Sequence, residues 1–196
     1  MPADLSAKLV TRSSNIHRTG CYTTVPFAEG DYICRYDGEL LTKEEADERF
    51  EGQVETYLFG LGDGSFVIHG TGVSRYINHS CDPNCESDEN DGEVWIIALK
   101  DIAAGEELTY DYNLYDGDED DEAVCMCGSA ECRGSMYSPE ELEARAKAKT
   151  AALAEQKKKL RQENELLNRT GDAGEGVIGV RPDQPYGSHD QNQDHG

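Results

Sequence analysis

Three cysteines stand within eight residues, Cys125-Met126-Cys127-Gly128-Ser129-Ala130-Glu131-Cys132, in a Cys-x-Cys-x4-Cys array. A closed zinc site takes four soft ligands in a tetrahedron, so the array is one ligand short. The other dense stretch, Arg75-Tyr76-Ile77-Asn78-His79-Ser80-Cys81-Asp82-Pro83-Asn84-Cys85, offers Cys81 and Cys85 for the vacant place. Either choice forces two distant segments to one point, a stronger constraint than any local propensity. Redox-reactive thiols are the competing reading, and Asp-Pro-Asn is also ordinary turn chemistry.

The opening residues, Met1-Pro2-Ala3-Asp4-Leu5-Ser6-Ala7-Lys8-Leu9-Val10, lack the apolar core of a signal peptide. A reducing compartment is therefore expected, where seven cysteines serve metal or reactive thiols better than disulfides. No apolar run reaches membrane-spanning length. The net charge is −22, and residues 1–136 carry most of it, with 9 Lys/Arg against 29 Asp/Glu. Such a field repels nucleic-acid phosphates and favours a basic protein or peptide as partner. Neither direct nucleic-acid binding nor membrane attachment is expected.

Residues 1–20 carry little pattern. From 21 to 112, short apolar runs alternate with glycine turns, which predicts a mainly β fold with short helices. Strands are expected over 32–36 (with Tyr32, Cys34 and Tyr36 on one face), 56–61, 66–69, 94–99 and 108–110. Turns at 28–31 and 103–106 each introduce a strand. Thr42-Lys43-Glu44-Glu45 is a capping box opening a helix to about Phe50. The acidic run 116–122 reads as a solvated linker; its spacing is not that of a calcium loop.

Ser138-Pro139-Glu140-Glu141 opens a C-terminal helix, with Ser138 as N-cap, Pro139 at the first helical position and Glu141 completing the box. Leu153, Leu160 and Leu167 recur every seven residues between polar neighbours. A coiled coil, homo-oligomerisation or partner docking through 138–168 all stay open. The composition beyond predicts a disordered tail. The parts are thus a lead-in (1–13), a β-rich body (14–115), an acidic linker (116–124), a cysteine segment (125–136), a helix (137–170) and a tail (171–196).

Taken together, the motifs resemble those of SET-domain protein lysine methyltransferases. The stretch 75–84 resembles the family's Asn-His-Ser-Cys-x-Pro-Asn motif. Glu107-Leu108-Thr109-Tyr110-Asp111-Tyr112-Asn113 resembles its second motif, and Tyr36-Asp37-Gly38-Glu39-Leu40-Leu41 its early strand-turn signature. Residues 125–134 resemble the post-SET zinc segment. The likeness covers about 14–136 and implies the β-clip, or SET pseudoknot, fold. It further implies S-adenosylmethionine as methyl donor, a structural zinc, a lysine-bearing basic tail such as a histone's as substrate, and the nucleus rather than the cytoplasm.

By this resemblance, His17, Thr19, Tyr57, Asn78, His79 and Met126 bind the donor. Tyr112, Tyr110 and Tyr57 are catalytic, and Tyr36, Tyr57 and Tyr110 line the lysine channel. Cys81 joins Cys125, Cys127 and Cys132 as the fourth zinc ligand, leaving Cys85 free. Tyr110 occupies the family's phenylalanine-or-tyrosine switch, which implies mono- or dimethyl product. Two departures touch the donor side: Arg18-Thr19-Gly20 stands where the family reads Gly-x-Gly, and Thr71-Gly72 where it reads Gly-Asn. They motivate the alternative of a non-catalytic, zinc-stabilised module that binds basic peptides.

Overall fold

The computed structural model describes residues 2–53, 57–90, 92–117 and 121–171, with side chains to 169. The described residues fall into two units, divided between Ala146 and Lys147. The predicted tail, apart from its first residue, and part of the acidic run lie outside the described residues. No helix among those described is long and apolar enough to cross a membrane.

Among the described residues, the first unit holds ten short strands in three sheets. Strand β1 (Leu9–Ser13) pairs antiparallel with β2 (Thr19–Thr23), from Leu9↔Thr23 to Ser13↔Thr19. The segment read as unpatterned is therefore half of a hairpin. Only Leu9 of β1 is buried, so the strand has no alternation to betray it, and its partner's ladder supplies the stability. Strands β3 (Tyr32–Arg35), β4 (Gly38–Thr42), β5 (Leu58–Leu61) and β6 (Phe66–Gly70) follow. A two-residue strand, β7 (Asn78–His79), precedes β8 (Cys85–Asn90), β9 (Glu93–Ala98) and β10 (Glu107–Tyr110). The sheet orders are β1-β2-β10-β7, β3-β9-β8 and β4-β6-β5.

One expectation about side-chain direction needs correction. The register of β3 on β9 shifts between Tyr32 and Cys34. Ile33 and Cys34 are both fully buried while Tyr32 stays 40% exposed, so Tyr32 and Cys34 do not share a face. A bulge breaks period-two alternation in just this way. Strand β8, Cys-Glu-Ser-Asp-Glu-Asn, is composed against strand propensity. It forms because all six of its residues pair with β9, from Cys85↔Ala98 to Asn90↔Glu93.

Helix α1 (Lys43–Phe50) has the predicted capping box. Thr42 accepts from the Glu45 N–H, and the Glu45 carboxylate accepts from the Thr42 N–H. Helix α2 (Pro139–Gly171) starts as expected, with the Ser138 hydroxyl accepting from Glu141 N–H at 3.1 Å. Its box is not reciprocal. The Ser138 N–H donates to Leu114 O at 2.9 Å, and the Glu141 carboxylate takes Arg145 Nε at 2.8 Å. Arg145 also donates to Gly117 O and lies over the Tyr137 ring, a competition only the tertiary packing sets up. From Lys147 to Arg169 every residue of α2 is exposed.

The main core gathers Cys21, Ile33, Cys34, Ile77, Cys85, Ile96, Ile102 and Leu108, all 0–2% exposed. Three of the seven cysteines are thus core hydrophobes, and burial pushes the Cys21 and Cys85 thiols up to about 12. At neutral pH they are un-ionised and unsuited to nucleophilic or ligand roles.

Candidate active site and zinc centre

The site forms where β7 lies parallel to β10, with Thr109 opposite Asn78 and Tyr110 opposite His79. Strand β7 is too short to hold itself, and side chains fasten what the ladder cannot. Asn84 accepts from the Thr109 N–H at 2.9 Å and donates to Glu107 O at 2.8 Å. The Tyr112 N–H donates to Nδ1 of His79 at 3.1 Å, and the Tyr112 hydroxyl donates to Ile77 O at 2.9 Å. Segments 77–84 and 107–112 are stitched together along their length.

That stitching sets the state of His79. A main-chain N–H can only donate, so Nδ1 is the acceptor and Nε2 carries the proton. Nε2 lies 3.3 Å from Cys81 Sγ, which makes His79 a donor to that sulfur. Burial pulls its pKa down to about 4, with Asp111 opposing and Arg133 adding to the shift, so the ring is neutral.

The aromatic residues form a continuous wall. Tyr110 and Tyr112 have ring centroids 4.9 Å apart, and His79 packs edge-on to Tyr112 at 5.4 Å. Phe59 bridges Tyr110 at 6.1 Å to Tyr36 at 5.3 Å. The Tyr36 hydroxyl donates to Tyr57 O at 2.9 Å, holding Tyr57 in left-handed backbone at φ 51°. Arg75 lies over both the Tyr57 and Tyr76 rings. Burial raises the pKa of Tyr36, Tyr110 and Tyr112, so each keeps its proton at neutral pH. Phe59 was not singled out from sequence, and Arg75 and Tyr76 were quoted within the 75–84 motif without a role. Phe59 had one available signal, its place two residues after Tyr57 in the strand expected over 56–61.

Two of the residues expected on the donor side, His17 and Thr19, meet Asn78 through their main-chain carbonyls. Its Nδ2 lies 3.2 Å from Thr19 O and 3.4 Å from His17 O. His17 is exposed, as is Met126 at 64%, so both present open surface. The first departure from the family pattern falls in this loop. Arg18 has φ 36°, where glycine is the residue without penalty.

Cys81, Cys125, Cys127 and Cys132 bring their sulfurs within 4.8 Å of one another. A tetrahedron with Zn–S of about 2.3 Å has edges of about 3.8 Å, and Cys81 and Cys125 stand 3.7 Å apart. Main-chain N–H groups aim at the sulfurs. Arg133 donates to Cys81 at 3.3 Å, Cys127 to Cys125 at 3.4 Å and Gly134 to Cys132 at 3.4 Å. Donors of this kind favour thiolates, the form a metal binds, so the quartet fits a zinc ion. Cys85, the other contender, is in the core with its thiol toward Asn84 Oδ1.

Residues 18–113 match the SET domain family model. The putative histone-lysine N-methyltransferase 1 of Plasmodium falciparum is 38% identical over 141 residues, covering 66% of this chain and 2% of that protein. The H3 lysine-4 specific histone-lysine N-methyltransferase of Emericella nidulans is 40% identical over 136 residues, covering 63% and 11%. Histone-lysine N-methyltransferase ATX2 of Arabidopsis thaliana is 36% identical over 152 residues, covering 71% and 14%. The chain spans 14% or less of the length of these relatives. With the motifs in order and the site assembled on β7 and β10, the chain belongs to the SET-domain family and carries that domain over residues 18–113.

Proposed function

We propose that the chain is an S-adenosylmethionine-dependent protein-lysine N-methyltransferase with one structural zinc. The observation that carries this reading is the β7–β10 junction. It sets Asn78 opposite Thr109 and His79 opposite Tyr110, and it packs the Tyr110 ring against that of Tyr112. The bound donor supplies an electrophilic methyl group on a sulfonium. Everything else falls to the protein.

The acceptor lysine must be neutral, and freeing it of its proton at pH 7 costs roughly 4–5 kcal/mol from a pKa near 10.4. No tyrosine at the site is ionised to take that proton, so it leaves to water before transfer. The Tyr112 hydroxyl donates its hydrogen bond to Ile77 O, which leaves the oxygen lone pairs to orient the amine or the methyl group. Tyr36, Phe59 and Tyr110 form a mostly apolar wall that excludes water. Alignment in such a site supplies several kcal/mol.

Cys81, Cys125, Cys127 and Cys132 would hold the zinc, which acts as a cross-link and takes no part in transfer. The substrate is a basic protein tail, with a histone tail foremost. The names of the relatives and the 9:29 ratio of basic to acidic residues in 1–136 support this. That substrate implies work in the nucleus, with mono- or dimethyl-lysine as product. The test pairs calorimetry of S-adenosylmethionine binding with labelled methyl transfer to histone peptides. Tyr112→Phe should lose most turnover while retaining donor affinity; an unmodified protein that binds basic peptides but no donor points to the non-catalytic alternative.

A further inference from the structure

Glu107 opens β10, and its carboxylate ends beneath the main chain that leads into β2. Its Oε1 accepts from Asn78 Nδ2 at 2.9 Å and its Oε2 accepts from the Tyr22 hydroxyl at 2.8 Å. Every neighbour of Asn78 Nδ2 is an acceptor: Glu107, Thr19 O and His17 O. Flipping the carboxamide would set its oxygen against a carboxylate and two carbonyls, so its orientation is fixed.

The seat for the carboxylate exists because residue 20 is glycine. A Cβ there would stand 2.2 Å from Glu107 Oε1 and 2.7 Å from Cδ. Two residues earlier, Arg18 holds left-handed backbone, a conformation disfavoured for any residue with a Cβ. Within the loop between β1 and β2, the Ser14 N–H donates to Arg18 O at 3.0 Å and the Ile16 N–H to the Ser14 hydroxyl at 2.9 Å. Glu107 and Asn78 add a hold from β10 on a loop that carries a disfavoured residue.

We infer that Glu107 is a positioning residue of the donor site. It latches Asn78 and the main chain of 17–20 into one arrangement, and so sets affinity for S-adenosylmethionine without touching the reacting groups. The identity of the ligand rests on the methyltransferase reading; the latch belongs to the ligand-free chain.

The test uses the full zinc-loaded chain with Glu107→Gln and Glu107→Ala. It reads donor affinity by calorimetry, kcat at saturating donor, melting temperature, and amide exchange of the ligand-free protein. Glu107→Ala should weaken donor binding about tenfold or more, the usual consequence of losing a hydrogen bond to a charged group. Glu107→Gln should recover much of this, because its amide oxygen still accepts from Asn78. In both variants kcat should stay within about twofold, while exchange at Ser14 and the neighbouring β1–β2 amides quickens in Glu107→Ala.

Unchanged exchange in Glu107→Ala overturns the latch. Quickened exchange with donor affinity unaltered overturns its link to the donor. A fall in affinity, kcat and melting temperature together, with no rescue by glutamine, reduces Glu107 to a fold residue and also overturns the proposal. If the unmodified chain binds no donor, the methyltransferase reading and the donor link fail together, while the exchange arm still decides the latch.

Discussion

Arg133 grips Asp111 through two parallel bonds, Nη1 to Oδ2 at 2.7 Å and Nη2 to Oδ1 at 2.8 Å. The pair joins the cysteine segment to the residue between Tyr110 and Tyr112. The same Arg133 gives its main-chain N–H to Cys81. One residue thus ties the metal quartet to the tyrosine wall. Lysine keeps the charge but loses the fork. Arg133→Lys should cost about 1–3 kcal/mol of stability, in the range for charge-assisted hydrogen bonds. It should lower turnover more than donor affinity, as read by thermal melts and steady-state rates. An Arg133→Lys protein with unmodified rates would show that the tie is structural only.

The metal prediction separates the two cysteines of the opening motif. Cys81→Ser should lower zinc content, measured by chelator titration, and expose the segment after Cys125 to protease. Cys85→Ser should keep its zinc and lose about 1–3 kcal/mol of stability, because it places a hydroxyl in an apolar core. Loss of metal from Cys85→Ser but not from Cys81→Ser reverses the assignment.

Product state should follow Tyr110. Its ring is 7% exposed, between Phe59 and Tyr112. A hydroxyl there occupies the space that a methylated amine needs to turn for another transfer. Tyr110→Phe should shift mono- and dimethyl product toward trimethyl without abolishing turnover. Abundant trimethylation by the unmodified protein, seen by mass spectrometry, removes Tyr110 as the switch.

The pH profile follows from the direction of the tyrosine shifts. Burial favours the neutral phenol and raises the pKa of Tyr36, Tyr110 and Tyr112 above the ordinary 10.0. These groups therefore stay protonated as pH rises, while the neutral fraction of the acceptor lysine grows. Initial rates with a lysine peptide should climb from pH 7 to 9.5 with no falling limb. A falling limb that disappears in Tyr112→Phe would mean that this phenol ionises in the working range.

The left-handed Arg18 should leave a measurable strain. Comparing Arg18→Gly with Arg18→Ala cancels the loss of the side chain and isolates the backbone. The glycine variant should be the more stable of the two by about 1 kcal/mol. Equal melting temperatures would show that the loop relaxes in the alanine variant.

Some of this molecule is fixed by local chemistry and was legible in the sequence. Thr42 and Glu45 cap α1, Ser138 and Pro139 start α2, and Gly30 and Gly105 take positive φ at the predicted turns. Each depends on residues a few positions apart, so a linear reading suffices. The motifs around Asn78 and Tyr112 were visible for the same reason.

What tertiary structure decided depends on partners distant in the chain. Strands β1 and β8 carry no signal of their own and exist through the ladders of β2 and β9. Glu141 turned from its cap to Arg145 because Leu114 supplied the acceptor that Ser138 needed. Spacing left Cys81 and Cys85 equivalent as ligands. The structure separates them, with Cys81 among the other three sulfurs and Cys85 fully buried at the start of β8, opposite Ala98 of β9. Glu107 is an ordinary acidic residue until folding brings Gly20, Tyr22 and Asn78 around its carboxylate. Burial and pairing are properties of the assembled chain, and they set these outcomes where residue identity alone could not.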